Sequence, residues 1–411
     1  MSLFALLSCV SCGRQNQSAE SWHHPAMNYR PLGNTGIEVS EISIGCNVFG
    51  CLSEDESYDL MTMALDSGIN YIDVYDAEPV VRDNIGHALK GRRDRIIIQG
   101  HIGCCYNGEQ YQRTRDMQYV KEGFEDLLKR LGTDHIEVGM LHFCDDMDDW
   151  NAILNGPMMA YAKELKKSGR IQHIGLSSHN TEVALAAVKS GAIEVLMFGI
   201  NPIYDALSAG TDVWDSTNYK NMLMGVDPLR AELYDYCARH HIAVVAMKVF
   251  GGAGGRLLQA ERTPFSSAMT PPQCLSYVLS KPCVSTALCG VKTKEQLLSD
   301  LYYRYAGDGE KDFSAVRNGD ESAVRTGVKD GVCTYCTHCS PCPKGINIAK
   351  VNELLDLATA ADTVPASVAA RYKVLKHKAG ECIQCGACES RCPFSVSIRK
   401  RMKEARRVFG E

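Results

Sequence analysis

Met117-Gln118-Tyr119-Val120-Lys121-Glu122-Gly123-Phe124-Glu125-Asp126-Leu127-Leu128-Lys129-Arg130-Leu131 runs through Gly132-Thr133-Asp134-His135 into Ile136-Glu137-Val138-Gly139-Met140-Leu141. Val120, Phe124, Leu127 and Leu131 recur at three- and four-residue spacing, which gathers them on one face of a helix. Gly132 stops that helix. The short run after it, with β-branched Ile136 and Val138, reads as a strand. The same alternation extends outward from Tyr29 to about Tyr303, with candidate strands at 41–45, 70–73, 95–99, 136–141, 171–176, 195–200, 242–247 and 284–288. Eight strand–helix pairs, with no Gly-x-Gly-x-x-Gly turn after the first strand, predict an α/β fold of the (β/α)₈ barrel type rather than a doubly wound sheet. Ahead of it, Tyr29 to Ser40 reads as a hairpin that plugs one end of the barrel. Gly251, Gly252, Gly254 and Gly255 form a turn after the seventh strand, whose amides either serve the turn alone or bind phosphate.

Beyond residue 303 the pattern changes. Residues 306–325, opening with Gly307-Asp308-Gly309-Glu310-Lys311-Asp312, read as a linker, and residues 326–411 as a small, mainly helical module. Cys333, Cys336, Cys339 and Cys342, the last followed by Pro343, are spaced three apart. Cys382, Cys385, Cys388 and Cys392, followed by Pro393, repeat the motif as C-x2-C-x2-C-x3-C-P. That is the two-cluster ferredoxin run, in which the fourth cysteine of each group ligates the other cluster. One [4Fe–4S] cluster then takes Cys333, Cys336, Cys339 and Cys392, and the other Cys382, Cys385, Cys388 and Cys342. Two tetrahedral zinc sites are the weaker reading, because the trailing Cys-Pro occurs twice. A helix over 347–361 is expected to brace the clusters. The clusters either carry single electrons or pin a domain whose own core is thin.

Composition is that of an ordinary soluble globular protein: 411 residues, 45% hydrophobic, 23% charged and a net charge of -5. Nothing in that balance favours nucleic acid as a partner. The 19 cysteines, eight of them in two tight groups, point to metal ligation in a reducing, cytoplasmic setting rather than to a disulfide framework. The apolar opening Met1 to Cys9 has no basic residue before it and makes a poor export or lipid-attachment signal. Residues 1–26 therefore read as a disordered extension, or as translated sequence ahead of the true start. No apolar run is long enough to predict a membrane span.

Three stretches carry a family resemblance: Tyr29 to Ser40 (Tyr29-Arg30-Pro31-Leu32-Gly33-Asn34-Thr35-Gly36-Ile37-Glu38-Val39-Ser40), Ile174-Gly175-Leu176-Ser177-Ser178, and Met247-Lys248-Val249-Phe250-Gly251-Gly252. They resemble aldo-keto reductase motifs, and with the cysteine module the chain is similar to the bacterial subgroup that carries a C-terminal dicluster domain. The resemblance spans roughly residues 27–305. It implies reduction of carbonyls by hydride from NADPH, through an Asp, Tyr, Lys and His set at the C-terminal strand ends. Asp73 and His142 match the family aspartate and histidine. Counting ungapped to Gly86, Glu78 stands where the proton-donating tyrosine belongs, with Tyr75 three residues earlier. His101, in Gln99-Gly100-His101, stands where the lysine belongs. Loss of a tyrosine removes the purpose of a lysine that would lower its pKa, so the two departures go together. His101, His142, Tyr75 and Glu78 are the remaining candidates for proton donation, with Asp73 as the orienting or relaying carboxylate.

On the cofactor side the resemblance places Ser177 against a nicotinamide carboxamide, with Ser178 where an asparagine usually neighbours it, counts Ser178, Asn201 and Lys248 among the cofactor-binding residues, and puts Met247 where an aromatic ring usually stacks. Phe250 and Gly251 match the pyrophosphate loop, and Gly290 through Gln296 the loop for the adenosine phosphate. NADP(H) is the implied cofactor. A hydride moves two electrons together and a [4Fe–4S] cluster moves one, so a flavin or a redox partner protein remains open as the link. Cys46, Cys51, Cys104, Cys105, Cys144 and Cys289 fall at strand ends and read mainly as small buried hydrophobes, with Cys104 and Cys105 the first candidates for a reactive thiol. The expected function is an iron–sulfur oxidoreductase acting on a small carbonyl, polyol or sugar-like molecule. The alternatives are a non-redox lyase or isomerase using Asp73, His101 and His142 beside structural clusters, and an electron-transfer subunit with a degenerate barrel.

Overall fold

The computed structural model describes residues 26–106, 108, 111–207, 225–252, 255–260, 263–265, 267–317, 331, 333, 339–359, 364, 366–392 and 395–411. The expected N-terminal extension therefore lies outside the described residues, apart from residue 26. β1 (Tyr29–Pro31) pairs antiparallel with β2 (Glu38–Ser40), and the hairpin's Leu32 and Val39 join the apolar cluster inside the barrel with Tyr71, Val138 and Val245. It is the plug the sequence predicts.

The strands then follow in chain order: β3 (Ile42–Gly45), β4 (Tyr71–Val74), β5 (Ile97–Ile102), β6 (Cys104–Tyr106), β7 (Tyr111–Arg113), β8 (Ile136–Leu141), β9 (Ile171–Ser178), β10 (Val195–Gly199), β11 (Ala243–Met247) and β12 (Val284–Cys289). All but β6 and β7 close into one barrel in the order β10-β11-β12-β3-β4-β5-β8-β9, each neighbouring pair parallel. β6 and β7 are an antiparallel hairpin inserted after β5, which the sequence reading did not foresee.

Around the barrel lie α1 (Glu54–Asp66), α2 (Pro79–Leu89), α3 (Met117–Leu131), α4 (Met147–Asn155), α5 (Pro157–Lys167), α6 (Thr181–Lys189), α7 (Pro202–Asp205), α8 (Pro228–Arg239), α9 (Pro271–Leu279) and α10 (Lys294–Leu301). α3 buries the face predicted for it, with Val120, Phe124, Leu127 and Leu131 all in the core, and ends at Gly132 in the left-handed conformation. α2 packs on α3 at Gly86, where a Cβ would stand 2.1 Å from the Arg130 carbonyl oxygen. Only glycine permits that approach.

The linker reading needs revision. Residues in its first half form α11 (Asp308–Lys311) and α12 (Ser314–Arg317), and Gln273 Nε2 donates to the Asp312 carbonyl at 2.8 Å while the Phe313 ring packs on Tyr277. The Gly and Asp content that suggested a free connector instead supplies helix ends docked on α9. The C-terminal module contains α13 (Ile348–Thr359), α14 (Ala366–Lys373) and α15 (Ile398–Phe409). Val351, Leu354 and Leu355 of α13 share one apolar cluster with Met402 and Ala405 of α15, and that cluster continues into Ile203, Tyr204 and Leu257 of the barrel. A module this small buries too little apolar surface alone, so the barrel wall completes its core. No helix among the described residues is long and apolar enough to cross a membrane.

Candidate functional site

β4, β5 and β8 are neighbours in the barrel, and their registers set Asp73 level with Gln99 and His101 level with Met140. Alternation along each strand aims Asp73, Gln99 and His101 inward, and His142 follows at the end of β8. The result is a buried chain at the C-terminal mouth: His101 Nε2 lies 2.9 Å from Asp73 Oδ1, and His101 Nδ1 lies 2.7 Å from His142 Nδ1. Gln99 Nε2 also donates to Asp73 Oδ1, at 2.5 Å, and the Tyr71 hydroxyl donates to Gln99 Oε1 at 2.6 Å, fixing the carboxylate from below. Asp73, His101 and His142 are 2%, 1% and 5% exposed, so bulk water does not compete for these bonds.

The far end of the chain is Tyr111, whose hydroxyl forms a short hydrogen bond with His142 Nε2. Sequence reasoning missed this residue, because it reaches the site only through the β6–β7 hairpin, opposite Tyr106. Arg113 and Arg115 donate to the Phe143 carbonyl at 2.9 and 3.1 Å, and Arg115 also pairs with Asp149, which ties the hairpin across the loop carrying His142. The signal available in the sequence was the pair of tyrosines flanking Asn107 to Gln110, a length suited to a hairpin loop. Burial, then the His101 ring and the Arg115 and Arg113 guanidiniums, hold His142 well below the usual histidine range. Burial, with Cys104 and Tyr75 close by, pushes Tyr111 well above the usual phenol range.

The tautomers follow from this geometry. With Asp73 ionised and both rings neutral, His101 Nε2–H donates to Asp73, His142 Nδ1–H donates to His101 Nδ1, and Tyr111 O–H donates to His142 Nε2. A proton added at His101 leaves its bond to Asp73 unchanged and reverses the two bonds beyond it. His101 Nδ1–H then donates to His142, His142 Nε2–H donates to the Tyr111 oxygen, and the phenolic hydrogen turns outward.

Tyr75 closes one side of the site: its ring is stacked with His142 at 6.0 Å and edge-on to Tyr111 at 5.9 Å. Glu78, expected among the proton donors, belongs elsewhere. It sits at the N-terminus of α2, and burial followed by the neighbouring Asp76 raises its carboxyl to about 7, with Lys350 lowering it and Glu353 raising it. Those lysine and glutamate neighbours come from α13, so the junction with the cysteine module claims Glu78. Cys104 is buried, bonds the Tyr75 carbonyl at 3.0 Å and is pushed up to about 12 by burial, which makes it an inert packing thiol. Cys144 is likewise pushed up to about 12.

The cofactor side is occupied by the protein's own bonds. Ser177 Oγ accepts from the Phe143 amide at 2.7 Å, and Ser178 Oγ donates to Asp145 at 3.0 Å. Asn201 caps α7 through its Oδ1 and gives its Nδ2 to the Lys248 carbonyl. That same carbonyl accepts from the Gly251 and Gly252 amides at 2.9 and 3.3 Å, so the loop carrying Phe250 turns these donors inward. After Gly290, Lys292 Nζ reaches Glu353 of α13 at 3.1 Å.

In the cysteine module, Cys342, Cys382, Cys385 and Cys388 line one cavity, floored by Ile346, Ile348 and Met402. This is the crossed set read from the spacing, and four thiols around one apolar-floored hollow fit a cubane cluster. Cys333, Cys339 and Cys392 are described in the second set, whereas Cys336 lies outside the described residues. Asn352 Nδ2 approaches Cys333 Sγ at 3.4 Å, and Gln384 Nε2 approaches Cys382 Sγ at 3.3 Å. No group of three or more His, Cys, Asp or Glu side chains among the described residues is arranged to hold a single metal ion.

Comparison with known proteins gives this arrangement its family. The model described as "Aldo/keto reductase family" matches residues 41–273, more than half of the chain. The chain belongs to the aldo/keto reductase family. A "4Fe-4S dicluster domain" follows that aldo/keto reductase barrel, matching residues 332–397. The barrel is similar to an aldo-keto reductase of Bacillus subtilis, YhdN, with 30% identity over 165 residues covering 38% of this chain and 48% of the relative. It is also similar to the L-galactose dehydrogenase of Arabidopsis thaliana, with 27% identity over 190 residues, 42% of this chain and 57% of the relative. The matched region thus spans about half the length of these curated relatives. An aldo-keto reductase from Bacillus halodurans, solved in its holo form, superposes with a TM-score of 0.55 at 23% identity over 73% of this chain and 98% of its own. That likeness establishes the fold.

Proposed function

We propose that this aldo/keto reductase is an iron–sulfur oxidoreductase acting on a small carbonyl, polyol or sugar-like substrate at the C-terminal mouth of the barrel. The observation that carries the reading is the unbroken relay Tyr111–His142–His101–Asp73, buried from His142 to Asp73 and half-buried at Tyr111, in which His101 takes the position the resemblance gives to the family's lysine. Tyr111 is its terminal donor. Reduction of a carbonyl takes two electrons and two protons: the clusters would deliver the electrons in two single steps, the outward-turned Tyr111 hydroxyl supplies the proton at oxygen, and a second proton, from solvent at the barrel mouth, completes the new C–H bond at carbon. His142 refills the phenol, His101 refills His142, and Asp73 steadies the positive charge while it resides on His101. In the oxidative direction the same bonds carry the hydroxyl proton inward. Tyr75 and the hairpin keep water out of the relay, so each transfer runs between fixed partners.

Cys342, Cys382, Cys385 and Cys388 would hold one [4Fe–4S] cluster, and Cys333, Cys336, Cys339 and Cys392 the other. Bound there, the clusters supply electrons one at a time, and a one-electron carrier protein is the corresponding partner. The test is anaerobic purification with iron and sulfide counted, followed by turnover of the chemically reduced protein against panels of small aldehydes, ketones and sugars. Reoxidation of the clusters by one of these classes, lost in His101→Asn and His142→Asn, is the expected result. Full turnover in both variants removes the relay from the reaction, and product formation with redox-silent clusters favours a lyase or isomerase.

A further inference from the structure

Two loops to which the family resemblance assigns a dinucleotide are engaged by this chain's own groups. The amides of Gly251 and Gly252 turn inward to the Lys248 carbonyl instead of outward to a pyrophosphate. Just beyond them Leu257, with Ile203 and Tyr204, packs in one apolar cluster with Ile346, Val351 and Leu354 of the cysteine module. At the adenosine end, Lys292 Nζ lies 3.1 Å from Glu353 Oε1, so a carboxylate from α13 sits on the cation that a phosphate would need. Glu353 is itself held firmly: Lys350 Nζ stands 3.6 Å from its other oxygen and 3.2 Å from the Gly50 carbonyl, and the Cys51 thiol donates to it at 2.9 Å. α13 therefore bridges the loops after β3 and β12, while its Asn352, next in sequence to Glu353, reaches Cys333.

We propose that the cysteine module has taken over the dinucleotide groove of the barrel, with Glu353 and the apolar face of α13 in place of a dinucleotide's phosphates, so that this chain does not bind NADP(H) there. The inference deepens the oxidoreductase reading and rests on it for the source of electrons: the family's hydride donor is excluded, and the module that excludes it is the electron carrier. The carboxylate also repels a phosphate approaching Lys292, since both are anions.

The test is a binding measurement on the anaerobically purified holoprotein. NADPH and adenosine 2′,5′-bisphosphate are titrated by calorimetry and by nucleotide fluorescence, in wild type and in Lys292→Ala. No saturable binding is expected up to about 1 mM, the upper end of ordinary KM values, with Lys292→Ala indistinguishable from wild type. Saturable binding below that, whether or not Lys292→Ala weakens it, overturns the proposal. A parallel assay drives turnover with a chemical one-electron reductant and no nicotinamide. NADPH binding alongside such turnover defeats this inference alone, whereas absent binding with no turnover on any substrate class defeats the oxidoreductase reading and leaves the blocked groove standing.

Discussion

His101 and His142 meet through their Nδ1 atoms at 2.7 Å, so one imidazole donates and the other accepts, and neither can change role without the other. Because Asp73 fixes the outer nitrogen of His101, the state of the pair is handed on to Tyr111. Tyr111→Phe keeps the ring and removes the last proton carrier. Turnover is expected to fall by about 10²- to 10⁴-fold, the range of a general acid or base, with substrate affinity little changed. A double variant with His142→Asn should lose little more than either single one, because links of one relay do not add. Steady-state kinetics with pre-reduced protein checks both.

His142 also gives the protein a sign of pH dependence. Its folded pKa is held well below the usual value by burial and the cations around it. Between that folded value and about 6.5, the unfolded chain binds a proton that the folded chain does not, so stability falls as the solution is acidified through this window. The slope contributed is at most about 1.4 kcal/mol per pH unit. His142→Gln should flatten the dependence of the urea midpoint between neutral pH and pH 5; an unchanged slope would contradict the assignment.

Glu78 acts in the opposite direction. Its folded pKa, raised to about 7 by burial first and Asp76 next, lies above the usual carboxylate value. Between about 4.3 and 7 the folded chain keeps a proton that the unfolded chain releases, so stability drops as pH rises and the cost is complete above pH 7. Glu78→Gln should raise stability by about 1 to 3 kcal/mol at pH 8 and leave it unaltered near pH 4. Denaturant titrations at the two values decide it.

The cavity lined by Cys342 together with Cys382, Cys385 and Cys388 makes the crossing of the two motifs measurable. Cys342→Ser should weaken the cluster of the second motif and leave that of the first, with iron falling toward half. Electron paramagnetic resonance of the reduced protein would reveal which signal disappears. Loss of the first-motif signal instead would mean that each motif holds its own cluster.

Asn352 offers an N–H to the Cys333 sulfur at 3.4 Å, and such bonds favour the more negative, reduced cluster. Asn352→Leu should make that potential more negative by roughly 60 mV, a tenfold change for a one-electron couple. Redox titration of the variant reads the shift directly.

Much of the molecule is written in short-range pattern. The spacing of Val120, Phe124, Leu127 and Leu131 fixes a helical face within a few turns of chain, and β8 starts and stops where its apolar run does. Boundaries elsewhere moved by a few residues: β5 extends to Ile102, since pairing with β8 continues past the β-branched stretch. The relay members Asp73, His101 and His142 were legible through the family resemblance, which matched them to motif positions, while the periodicity placed those positions at strand ends. Tyr111 was not, since a hairpin that folds over a neighbouring strand leaves no periodic mark on the barrel.

By itself the sequence determined the repeating strand and helix units and the cysteine spacing, because both depend on contacts between residues a few positions apart. Only the tertiary structure decided that Tyr111 reaches His142, that Glu78 belongs to the junction with α13, and that Glu353 sits on Lys292. Those pairings join distant parts of the chain, and they exist only once strand order, hairpin position and module docking have brought the charges and donors within bonding distance.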